Sequence, residues 1–79
     1  MRIRIVAKTE LGNVFQIRGG DKGCSIGRIA DIKGEEIPVQ AVRCDEISFD
    51  GNAFTGFKDG KLVVETFGKA TVTEFKVRY

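Results

Sequence analysis

Seventy-nine residues, 42% apolar and 30% charged, make a chain too apolar for a disordered segment and short enough that a single small β domain over 1–79 is expected. The net charge of +2 is unevenly divided: residues 1–33 carry seven basic and three acidic side chains, residues 34–79 six basic and eight acidic. No histidine is present, so the usual general base is missing and neither a Ser-His-Asp nor a Cys-His arrangement can be built within one chain.

Ile and Val together number 16 against two Leu, which favours pleated sheet over helix. From Ile3 to Ile17 apolar and polar residues alternate around Glu10-Leu11-Gly12, a three-residue loop whose glycine suits the left-handed region. That register sets Ala7 opposite Phe15, Ile5 opposite Ile17 and Arg4 opposite Arg18. Ile3, Ile5, Ala7, Phe15 and Ile17 then share an apolar face, while Arg2, Arg4, Lys8 and Arg18 share a basic one. A like-charge pair directly across two strands costs a few tenths of a kcal/mol or more, so Arg4 facing Arg18 is a hint of function, and the basic excess of residues 1–33 hints at an anionic partner.

Gly19-Gly20-Asp21-Lys22-Gly23 is expected to be a loop, but it contains neither GxGxxG nor GxxxxGK[ST] and no clear helix follows it. The stretch from Cys24 to Cys44 admits two readings. Ile26, Arg28, Ala30 and Ile32 alternate as a strand returning through a turn at Lys33-Gly34. Ile26, Ile29, Ala30 and Lys33 also have helical spacing, so a short helix within 25–33 is the competing reading. Pro38 lacks a backbone donor and belongs on an edge strand.

Residues 44–79 read as a four-stranded meander with turns at Asp50-Gly51, Asp59-Gly60 and Gly68-Lys69. Across the last turn Leu62 would face Phe75 and Val64 would face Thr73. A core of Ile5, Ile17, Leu62, Val64 and Phe75 follows. The reverse side of the meander would carry Phe54, Val63, Phe67 and Val72 among charges, an apolar patch with a charged rim suited to a protein partner or a second copy. The overall expectation is all-β: a small antiparallel barrel or compact sandwich of six to eight short strands.

Cys24 and Cys44, without a Cys-x-x-Cys, cannot complete a zinc site and are expected to be reduced and partly buried. Asp45, Glu46, Asp50 and Asp59 lack the spacing of an EF-hand loop. No metal, no cofactor and no enzymatic activity are therefore expected. Charges interrupt every apolar run after Met1, so nothing reads as a signal-peptide core or a span of ~18 apolar residues, and a cytoplasmic protein with no membrane partner is expected. Two functions follow: a non-catalytic interaction module using the apolar patch, or a nucleic-acid-binding β domain using Arg2, Arg4, Lys8 and Arg18.

Overall fold

Eight antiparallel strands divide into two sheets in the computed structural model, which describes residues 1–30, 36–66 and 68–79, with residues 36–40 given by their backbone. The strands are β1 (Arg2–Thr9), β2 (Val14–Gly20), β3 (Gly23–Ala30), β4 (Glu36–Cys44), β5 (Glu46–Phe49), β6 (Phe54–Lys58), β7 (Lys61–Glu65) and β8 (Ala70–Arg78). The larger sheet has the order β4-β3-β2-β1-β8 and the smaller β5-β6-β7. Neither closes on itself, so the architecture is sandwich-like rather than a barrel. No helix forms among the described residues, hence none long and apolar enough to cross a membrane.

The first hairpin has the register read from its alternation, with Ile5 opposite Ile17, Ala7 opposite Phe15 and Arg4 opposite Arg18. Gly12 closes the loop at φ 94°, where any side chain would be strained, and its N–H donates to the Thr9 carbonyl at 2.9 Å. Buried Thr9 finds its own partner: its hydroxyl accepts from the Asn13 N–H at 3.2 Å. The glycine-rich stretch is not a loop. β2 runs through Gly19 and Gly20, Gly20 pairs with Gly23, and only Asp21 and Lys22 turn the chain. Pairing between neighbouring strands outweighs the low strand propensity of glycine here. β3 makes Gly23–Ala30 a strand, so no helix occupies the described part of 25–33. The turn expected at Lys33-Gly34 lies outside the described residues. Pro38 falls on β4, an edge strand as its missing donor requires.

The expected meander holds for β5, β6 and β7, with one turn longer than expected, and breaks after β7. Phe49 pairs with Phe54, so Asp50 to Ala53 form a four-residue loop rather than a two-residue turn. Its cause is Asp50, whose Oδ1 accepts from the N–H groups of Asn52 at 2.7 Å and Ala53 at 2.9 Å. The Asp59-Gly60 turn is as expected, with Lys58 opposite Lys61 and φ of 53° and 77° at the two central residues, the signature of a type I′ turn. Gly68 does adopt φ 79°, but it does not join a hairpin. After β7 the chain leaves the small sheet, and β8 pairs with β1 instead.

That crossing rewrites the core. Ala7, Phe15, Ile17, Ile26, Phe54 and Ala70 form it, with Ile5, Ile47 and Val64 packed against it. Of the expected core, Ile5, Ile17 and Val64 belong, whereas Leu62 is 55% and Phe75 61% exposed. Phe75 does share Ile5's face, being its direct partner across β1 and β8. It lies on the sheet edge, however, while the small sheet packs mainly on β3 and β4. Phe54, expected on a binding face, is 4% exposed and central. Its backbone is tied to buried Thr66, whose N–H donates to the Phe54 carbonyl and whose hydroxyl accepts the Phe54 N–H, both at 3.0 Å.

Candidate polyanion-binding face

The outer face of the large sheet gathers basic residues from four strands. Alternation along β1 sends Arg2 and Arg4 outward as Ile3 and Ile5 turn inward, and the same rule applies to Arg18 on β2. The pairings then carry the row across the sheet: Arg43 opposite Ser25, Ser25 opposite Arg18, Arg18 opposite Arg4, and Arg4 opposite Lys76. Arg2 lies opposite Arg78 in the neighbouring row of the same face. With strands ~4.8 Å apart and same-face residues ~6.7 Å apart along a strand, these side chains stand on a grid about 19 Å wide.

Together they line an open depression of about 640 Å³ at the end of the sheet where β2 turns into β3. Its basic lining residues are Arg2, Arg4, Arg18, Lys22, Arg43, Lys76 and Arg78, and Asp21 is its one acid. Gly19, Gly20 and Gly23 contribute to the wall, so backbone rather than bulky side chain faces the space there.

Like charges this dense need internal support. Glu74 provides part of it, with Oε2 at 3.2 Å from Arg4 Nη1 and Oε1 at 2.9 Å from Lys76 Nζ. The hydrogen bond and charge of Lys76, and then Arg4, hold the Glu74 carboxyl below its ordinary pKa. Gln16 provides the rest. With its amide oxygen turned toward the guanidiniums, it accepts from Arg4 Nε at 2.7 Å and from Arg18 at 3.2 and 3.3 Å. A neutral acceptor between two arginines aligns them without cancelling either charge. Even counting Glu74, five positive charges remain in excess on this face.

Of the residues expected to bind nucleic acid, Arg2, Arg4 and Arg18 are brought together, and Lys8 is not. It stands farther along β1, beside a separate shallow depression with Glu10, Lys69 and Thr71. Arg43, Lys76 and Arg78 were missed. The alternation of β8 already set Lys76 and Arg78 apart from Phe75 and Val77, but only the pairing of β8 with β1 places them beside Arg4 and Arg2.

The apolar patch does not assemble as expected. Phe54 is core, and Phe67 lies outside the described residues. Val63 and Val72 are exposed, at 41% and 42%, but stand on strands of different sheets that do not pair. Among the described residues no group of three His, Cys, Asp or Glu side chains converges as a metal site. Asp45, at the corner between the sheets, instead accepts the Asp59 N–H on Oδ2 at 3.1 Å. Comparison of the chain with protein-family models, with curated proteins and with solved structures finds no match.

Proposed function

We propose that this protein is a non-catalytic module that binds nucleic acid through its phosphate backbone, on the outer face of the large sheet. The observation that carries this reading is the convergence of six arginines and lysines from β1, β2, β4 and β8, with Lys22 of the β2–β3 turn, around one depression. A basic concentration of this kind attracts polyanions and gains free energy by releasing their counterions. The grid holds no aromatic side chain, so recognition rests on phosphates rather than on stacked bases, and little sequence preference is expected. The face was partly legible as Arg2, Arg4 and Arg18; its remaining members strengthen the same reading.

The test is a salt titration of binding to a generic DNA duplex, read by fluorescence anisotropy. If about five phosphates are contacted, log K should fall with log salt at a slope of about −4.5. Arg18→Ala should reduce that slope by about one unit and weaken all sequences alike. Binding independent of salt, or none at low salt, would refute the reading. A second reading, contact with a protein or a second copy, draws on the exposed Leu62, Val63, Val72 and Phe75 of two edge strands. Sedimentation over a range of concentrations tests the self-association part of it.

A further inference from the structure

Two thiols that play no part in anion binding face each other across β3 and β4. Cys24 lies directly opposite Cys44, with the sulfurs 3.7 Å apart, and the Cys24 thiol donates to the Cys44 carbonyl at 3.1 Å. Residues directly opposite in an antiparallel pair have Cβ atoms about 4.5–5.5 Å apart, close to the span a disulfide bridges, so modest side-chain rotation and a small approach suffice. Both thiols share the inner face of the sheet with Ile26, on the side away from the arginines. Their exposures differ in a useful way: Cys24 is half-buried, whereas Cys44 is 4% exposed. Gly56 backs Cys44 closely: a Cβ added there would stand 3.0 Å from the sulfur, which leaves the thiol little room to turn away from Cys24.

We propose that Cys24 and Cys44 are an attacking and a resolving thiol that a low-molecular-weight disulfide, such as oxidised glutathione, converts into a cross-strand disulfide. Cys24, the more exposed of the two, is the thiol that the oxidant reaches first. The Cys24 thiol loses its proton, and its sulfur attacks one sulfur of the oxidant. The oxidant's S–S bond breaks, and one glutathione leaves as a thiolate that takes up a proton. Burial, and then the hydrogen bond with Cys24, push the Cys44 thiol above its ordinary pKa, so its deprotonation is the slow step. Its sulfur then attacks the Cys24 sulfur of the mixed disulfide, and the second glutathione leaves in the same way. Two protein thiols are oxidised and one glutathione disulfide is reduced to two thiols. The product closes a loop from residue 24 to 44 and clamps Ser25 to Arg43 at one end of the basic row. This holds whether or not nucleic acid occupies the face.

The experiment incubates the reduced protein with oxidised glutathione and follows intact mass, oligomeric state and thermal unfolding. The expected product is a monomer lighter by two hydrogen atoms, with a Tm higher by about 10–20 °C, as closing a loop of this length implies for a chain of this size. Cys44→Ser should stop at one glutathione adduct on Cys24, and Cys24→Ser should resist the reagent while folded. A persistent adduct on the unaltered protein, disulfide-linked dimers, or a closed monomer with unchanged or lower Tm would each overturn the proposal. The measurement on the unaltered chain stands even if a variant fails to fold.

Discussion

Phe54 and Phe75 exchange the roles their sequence pattern suggests, and truncating each to alanine measures that exchange. Phe54 is 4% exposed, contacts the core of Phe15, Ile17 and Ile26, and stacks on Phe49 with ring centroids 4.4 Å apart at 24°. Removing a buried phenyl ring costs about 3–5 kcal/mol, and the stacked pair adds about 0.5–1.5 kcal/mol beyond area alone. A chain of this length has only about 4–12 kcal/mol of stability in total, so Phe54→Ala should leave it barely folded or unfolded. Phe75 is 61% exposed at the edge of the large sheet. Only about two-fifths of its ring area is removed from water, and at about 25 cal/mol per Å² Phe75→Ala should cost about 1 kcal/mol or less. Urea unfolding followed by circular dichroism reads both, with Phe54→Leu as a milder core variant if the alanine does not fold. Phe75→Ala proving more costly than Phe54→Ala would refute the packing and restore the hairpin of β7 with β8.

Gly56→Ala should destabilise by about 1–3 kcal/mol in the same assay, because the new methyl would stand 2.7 Å from Val64 Cγ1 and 3.0 Å from Cys44 Sγ; a neutral result would mean the sheets are looser there. The Asp50 carboxyl is held below its ordinary pKa by the Ala53 and then the Asn52 backbone N–H, and that of Glu74 by Lys76 and then Arg4. Lowered folded values mean their stabilisation is present above the unfolded carboxylate pKa of about 4 and is lost as pH falls through the folded ones. A D50N/E74Q double variant should accordingly show a flatter acid limb of stability against pH, and an unchanged limb would count against both pairings. Gln16→Leu should destabilise by about 0.5–1 kcal/mol at low salt by removing the acceptor between Arg4 and Arg18, with the loss shrinking as salt screens the pair. A loss insensitive to salt would point to packing instead.

Local chemistry determined a good deal of this protein by itself. Alternation in β1 and β2, the position of Gly12, and the Asp59-Gly60 turn specify their hairpins because each register follows from a few neighbouring residues. The all-β class follows from the same patterns, and so does the outward facing of Arg2, Arg4 and Arg18. The tertiary structure decided which strands become neighbours. Gly68 has the positive φ its sequence suggests, yet a glycine that turns the chain does not dictate whether the next strand folds back on β7 or crosses to β1. Phe54 and Phe75 had equally apolar patterns, and only the position of the small sheet over β3 and β4 buried the first and left the second at an edge. The basic face was legible in the same proportion. Arg4 and Arg18 lie within one hairpin and Arg43 joins them through the consecutive strands β3 and β4, whereas Lys76 and Arg78 arrive through the pairing of β8 with β1, strands distant in the chain. Side-chain alternation is a local property of the backbone; the choice of neighbouring strand is set by the burial of the whole core.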